Sequence, residues 1–287
     1  MDTSKIALFI PTYNAGPDFN KVLNLIDEQA KYINKKYIID SSSSDDTVKI
    51  AKNHNFDVKV IKSEEFGHGK TRTEAGKDLE DFDYVIYMTQ DIYLQKNALK
   101  SLIDFIRENS EIAVAYGKQE VDIERGNIFE YRSRYFNYSE KNLVKSKEDI
   151  PNLGIKTVFT SDAFCIYDTM KLKEINYFPE NLQFSEDMYA AVKFINANYK
   201  VGYCANSKVF HTHNFSLKEE FNRYKSIGNF HREYPEIQMQ FGENTTEGFK
   251  LVINEMKYLI RNRKINKIPE SILRNLAKYI GYRTIKK

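Results

Sequence analysis

The chain has 287 residues, 41% of them apolar and 29% charged, a balance that builds a folded core and excludes a disordered chain. Its two cysteines, Cys165 and Cys204, are too few for a disulfide framework and read as reduced thiols of a cytosolic protein. The net charge of +3 is uneven: residues 250–287 carry eleven Lys and Arg against two Glu, a balance of +9 that leaves −6 for the rest.

Residues 5–11 are an apolar run ending at Pro11, which reads as a buried first strand rather than a signal core. A turn follows over Thr12, Tyr13, Asn14 and Gly16. Phe19, Val22, Leu23, Ile26, Ala30 and Ile33 then recur at helical spacing. Residues 37–40 form a second strand ending on Asp40. After the Ser41–Ser44 loop, Asp45 or Asp46 caps a helix running to about Asn53. Residues 58–61 are a third strand. Gly67, His68 and Gly69 turn into a helix over about 70–79, and residues 84–88 are a fourth strand followed by Thr89, Gln90 and Asp91. A helix over 98–108 and a strand over 113–116 complete the alternation.

Strands alternating with helices predict an α/β chain with a mostly parallel central sheet flanked by helices on both faces. Ligands of such sheets bind beyond the carboxyl ends of the strands. The polar clusters at Thr12–Asn14, Asp40–Asp46, His68–Arg72 and Gln90–Asp91 all fall at those ends, which groups them into one site.

Residues 120–159 are polar, aromatic and irregular, with 131–138 a loop or short helix beside the site. Ser185, Glu186 and Asp187 open a helix with Ala190, Ala191, Phe194 and Ile195 on one face. Residues 200–204 and 209–210 are short strands, and 216–234 a helix. The last forty residues or so form two amphipathic helices split near Pro269. Residues 1–215 are thus expected as one domain, with a nucleotide-binding half to about 118 and an acceptor half beyond it. Residues 216–287 are expected as a basic helical extension that docks on an anionic membrane surface or forms a homodimer.

The first strand opens neither Gly-x-Gly-x-x-Gly nor a Walker loop, which disfavours a dinucleotide oxidoreductase or a P-loop enzyme. A carboxylate such as Asp40 at the end of the second strand can accept from a pyrimidine imide. The glycines around His68 allow close approach of backbone to a ligand, and a helix start favours anions, with Lys70 and Arg72 as cationic partners. Asp162 can hydrogen-bond a sugar hydroxyl or cap a turn. His211 and His213 are two apart, so in a strand both would face one way.

Ile10-Pro11-Thr12-Tyr13-Asn14, Ile39-Asp40-Ser41-Ser42, Phe66-Gly67-His68-Gly69-Lys70-Thr71-Arg72, Thr89-Gln90-Asp91, Ser185-Glu186-Asp187-Met188 and Val209-Phe210-His211-Thr212-His213 together resemble family 2 glycosyltransferases of the GT-A fold, in their bacterial rhamnosyltransferase branch. The resemblance covers about residues 5–230. It implies an inverting transferase that uses a nucleotide-diphospho-sugar, dTDP-rhamnose, and a saccharide acceptor that is lipid-linked, at the inner face of the cell membrane. No nucleic-acid partner is expected.

In that reading Asp187 is the catalytic base. Asp91 and His211, or His213 in its place, hold a divalent cation, Mg2+ or Mn2+. Pro11, Thr12, Tyr13, Asn14, Asp40, Ser42, His68, Gly69, Lys70, Arg72, Gln90, Asp162, Glu186 and Arg223 bind the donor. The chain departs from the Asp-x-Asp pattern in carrying Gln90 where many relatives place the intervening residue and Thr89 where they place the first carboxylate. That departure supports a rival, a glycan-binding protein on a transferase scaffold; a transferase of another nucleotide sugar, such as a UDP-hexose, is the nearer alternative.

Overall fold

The computed structural model of the chain describes residues 4–285. In chain order the elements are β1 (Ile6–Thr12), α1 (Phe19–Asp27), β2 (Lys35–Asp40), α2 (Thr47–Asn53), β3 (Asp57–Val60), α3 (His68–Asp78), β4 (Tyr84–Met88), β5 (Tyr93–Leu94), α4 (Ala98–Arg107), β6 (Ile112–Glu120) and α5 (Ile128–Asn137). There follow β7 (Leu143–Lys145), α6 (Ile150–Leu153), β8 (Phe164–Asp168), α7 (Thr169–Glu174), α8 (Glu186–Asn196), β9 (Lys200–Phe210), α9 (Leu217–Glu233), α10 (Pro235–Phe241), α11 (Asn244–Arg261) and α12 (Ile268–Arg283).

The strands form one sheet in the order β3-β2-β1-β4-β8-β6-β9-β5, with β7 paired to β9. β1, β2, β3 and β4 pair in parallel, as the alternating pattern predicts. β8 runs antiparallel to both β4 and β6, and β5 and β7 antiparallel to β9, so the sheet is mixed. The antiparallel insertion of β8 matters for function. Its register sets Phe164 against Met88, which brings the loop before β8 to the carboxyl end of β4.

Alternation along the strands builds two cores. Ile6, Leu8 and Ile10 of β1 join Ile86, Met88, Phe164 and Ile166 on one face. That face is covered by α1 and by α4, whose Leu99, Leu102, Ile103 and Ile106 repeat at helical spacing and are all buried. On the other face the aromatic richness of the chain finds its place: Phe9, Tyr87, Tyr167 and Phe178 meet edge to face, with Phe9–Tyr87 centroids at 5.5 Å and Tyr87–Tyr167 at 5.2 Å. The hydroxyls of Tyr87 and Tyr167 point out of this cluster into the polar site above it, a use of the aromatic ring as both packing body and polar handle.

The chain divides into two compact units. The first comprises residues 1–119, 140–149 and 158–211 and holds the sheet. The second comprises 120–139, 150–157 and 212–287. The helical extension expected after residue 215 therefore begins at 212 and recruits two stretches from the middle of the chain, among them α5. Within this unit α9 is opened by a reciprocal Ser216–Glu219 capping box. α9 and α12 approach backbone to backbone at Gly228 and Gly281, where an added Cβ would lie 2.1 Å from the Tyr282 carbonyl and 2.4 Å from that of Phe221. The stretches 200–204 and 209–210, expected as separate strands, are one strand, β9. Both cysteines are buried free thiols.

Candidate active site

Two loops at the carboxyl ends of β1 and β2 interlock. Asn14, in the left-handed region at φ 41°, accepts the Ser44 N–H on its Oδ1 at 2.8 Å and donates its own N–H to the Ser43 hydroxyl at 2.8 Å. Beneath them Asp40 is fully buried and accepts from the Thr12 hydroxyl at 2.7 Å and from both the N–H and hydroxyl of Ser43. Asp40, expected to accept from the base, here accepts from protein donors and anchors the loops. Tyr13 is 55% exposed on the loop so anchored, and Pro11 leads into it. Ser42, also left-handed, donates its hydroxyl to the Ile61 carbonyl at 2.7 Å.

Gln90 clamps the same loop. Its Oε1 accepts the Tyr13 N–H at 2.9 Å and its Nε2 donates to the Tyr13 carbonyl at 3.1 Å. The residue between Thr89 and Asp91 thus fixes backbone, and Thr89, in the place of a first carboxylate, donates its hydroxyl to Asp91 Oδ1 at 2.7 Å.

The other Asp91 oxygen faces His211. His211 Nε2 lies 3.4 Å from Asp91 Oδ2, and its Nδ1 lies 2.8 Å from Oε1 of Gln119. With Nδ1–H donated to the amide oxygen, Nε2 presents a lone pair towards a carboxylate oxygen. In that tautomer a cation would bridge the two electron-rich atoms, and ligands about 2.1 Å from one ion stand roughly 3 Å apart when adjacent. The donor set therefore fits a hard divalent cation. β9 ends at Phe210, so the two histidines lie past the strand and its alternation does not govern them. His213 belongs to the second unit, where its N–H donates to Glu130 Oε1 at 2.7 Å and its ring stacks on Phe215 at 4.7 Å. Arg223 lies on α9 of that unit with its guanidinium 5.6 Å from the Phe215 ring.

Gln119 was not singled out in the sequence. It is 1% exposed at the end of β6 and continues the network by donating from Nε2 to the Ser161 hydroxyl at 2.8 Å. Its trace in the sequence is the polar run Lys118, Gln119 and Glu120 that closes β6.

Ser161 leads to a buried acidic cluster around one cation. Arg72 Nε lies 3.1 Å from Asp162 Oδ2, and Nη1 lies 3.1 Å from Glu186 Oε1 and 3.0 Å from His68 Nδ1. Asp162 also accepts from the Tyr167 hydroxyl at 2.6 Å and from the Cys165 thiol. Arg72, Asp162 and Glu186, expected to touch the donor, are all buried here and pair with one another. Gly69 packs against protein as well. A Cβ there would sit 1.9 Å from the Pro179 carbonyl, and its N–H donates to Leu182 O at 3.1 Å, so the close approach it permits is to protein backbone. His68 stays partly exposed beside Phe66, and burial and Arg72 hold its imidazole below the usual range. Lys70 is exposed on the first turn of α3.

Asp187 sits on the first turn of α8, half-buried, and accepts from the Met188 N–H at 2.7 Å and the Asp162 N–H at 3.4 Å. Three carboxyls share one guanidinium. Desolvation, then the neighbouring charges of Asp162 and Glu186, push the Asp187 carboxyl up to about 8. Desolvation also raises Asp162, against the pull of Arg72.

Known structures share this architecture. A mannosyltransferase from Pyrobaculum calidifontis, solved with GDP-mannose and Mn2+, matches with a TM-score of 0.63 over 98% of this chain and 82% of its own, at 14% identity. Staphylococcus aureus TarS 1–349 in complex with UDP-GlcNAc matches at 0.59, over 92% and 75%, with 20% identity. The fold is that of the GT-A glycosyltransferases. Residues 7–175 match Glycosyl transferase family 2, and the chain belongs to that family of enzymes. It is 42% identical to the O-antigen chain rhamnosyltransferase RfbN of Salmonella typhimurium, over 97% of this chain and 88% of the relative. It is 40% identical to the O-antigen chain rhamnosyltransferase WbaN of Salmonella anatum, over 96% and 87%.

Proposed function

We propose that this glycosyltransferase moves L-rhamnose from dTDP-rhamnose to a saccharide of a bacterial surface polysaccharide, with inversion at the anomeric carbon. The observation that carries the reading is the likeness, over nearly the whole chain, to two proteins named O-antigen chain rhamnosyltransferase. The acceptor is a growing lipid-linked glycan.

Asp187 takes the proton of the acceptor hydroxyl as that oxygen attacks the anomeric carbon. The bond from that carbon to the diphosphate oxygen breaks, and its electron pair leaves with the nucleotide. The raised proton affinity of Asp187 suits it to this base role, and Arg72 keeps it from rising further. Asp91 and His211 would hold a divalent cation. Such a cation, when bound, offsets the charge gathering on the departing diphosphate. Lys70, exposed on the first turn of α3, is a cationic partner for the phosphates. Tyr13, Asn14 and Ser42 border the nucleoside, on a loop pair braced from below by Thr12, Asp40 and Gln90.

The test is a panel of nucleotide sugars given to the purified protein with and without chelator, read by nucleoside diphosphate release. dTDP-rhamnose should turn over fastest and chelator should stop it. Preferred turnover of a UDP-hexose would replace the donor and keep the class. Asp187→Asn should abolish transfer and leave nucleotide binding nearly intact; unchanged turnover would remove Asp187 from the mechanism.

A further inference from the structure

The packed face of α12 is polar and its exposed face apolar, the reverse of a helix seated on a soluble core. Ile272, Leu273, Leu276, Tyr279 and Ile280 are each between 47% and 54% exposed. On the inner side Ser271 and Asn275 reach the buried Glu255, and Arg274 pairs with Glu220 at 3.0 Å and Glu270 at 2.9 Å. α11 also exposes apolar side chains, with Phe249, Ile253 and Ile260 all more than half exposed, although Leu251 and Leu259 pack inward. Apolar side chains gathered in this way mark an interaction surface, unlike single exposed residues.

Charge selects the partner. From Phe249 to Ile285 the exposed residues include seven Lys and Arg, such as Lys257, Arg261, Lys264 and Arg283, and no Asp or Glu. Glu255 is buried, and Glu270 is engaged by Arg274 and Lys267. Two copies meeting through this face would set cation against cation. An anionic bilayer accepts both components, apolar side chains at the headgroup–acyl boundary and cations at the phosphates. No helix among the described residues is long and apolar enough to cross a membrane.

We propose that α11 and α12 form a peripheral docking face for an anionic lipid bilayer. The test is co-sedimentation of the full chain with vesicles of phosphatidylcholine alone or mixed with phosphatidylglycerol. The vesicles carry no glycan, so the outcome is independent of the transferase reading. Binding should require phosphatidylglycerol, weaken as salt is raised, and fall roughly tenfold or more in Leu276→Glu/Ile280→Glu, a change that replaces buried apolar contact by like charge. Both sites are exposed, so circular dichroism of the variant should match the parent. Equal binding of parent and variant, or no binding to either vesicle, would overturn the proposal. So would a concentration-dependent dimer by light scattering that the double variant dissolves, which would assign the face to self-association.

Discussion

A base must be unprotonated before it can accept a proton, so the environment of Asp187 sets a pH dependence. Its carboxyl is raised by desolvation and by Asp162 and Glu186. Activity should therefore be lost as pH falls through that raised value, with an acid limb of kcat/KM well above the ordinary carboxylate range near ~4. A pH profile with its acid limb at the ordinary value would contradict this environment. Arg72 supplies the opposing positive charge, so Arg72→Met should leave buried carboxylates uncompensated and lower stability by roughly 3–5 kcal/mol, measured by urea unfolding. Gln119 acts through His211. Gln119→Leu removes the acceptor that fixes the imidazole tautomer and should weaken Mn2+ binding about 10- to 100-fold by titration calorimetry, whereas Gln119→Glu retains an acceptor and should retain affinity. These residues differ in how legible they were. Asp91, Asp187 and His211 stand in recognisable local motifs. The burial of Asp40, Arg72, Asp162 and Glu186 does not, because a charged residue in a loop reads the same whether its partner is a ligand or a carboxylate from a distant strand.

At the scale of elements, α3 shows how a motif can be right in composition and serve another purpose. Glycines before a helix suggest a phosphate cradle, yet Gly69 is where α3 meets the backbone of residues 179–182. Gly69→Ala should therefore displace the start of α3 and cost about 1–3 kcal/mol or more, seen as a lowered Tm even without ligand. A purely ligand-facing glycine would leave the Tm of the free protein unchanged. β1, β4 and α4, with strong periodicity, were readable within a residue or two of their ends, whereas α1 stops at Asp27, short of the Ile33 its spacing reached. The antiparallel β8 was not, because its five residues alternate with nothing that marks direction, and strand direction is decided by pairing with β4 and β6.

For the whole molecule, ligand binding to the folded state alone must raise its stability. A nucleoside diphosphate with Mn2+ at about 100 times its Kd should add ~2.7 kcal/mol, read as a rise in Tm that chelator reverses. A rise indifferent to chelator would separate nucleotide binding from the Asp91–His211 pair. By itself the sequence determined the α/β class, the alternation that builds the parallel half of the sheet, and the basic, amphipathic character of the last two helices, because each is a pattern of neighbours along the chain. Only the tertiary structure decided that α5 joins the C-terminal helices, that the outer face of α12 is its apolar one, and that Gln119 and Ser161 link His211 to the acidic cluster. Those facts depend on residues far apart in sequence meeting in space, and burial, which turns a polar side chain from contact into scaffold, exists only once they have met.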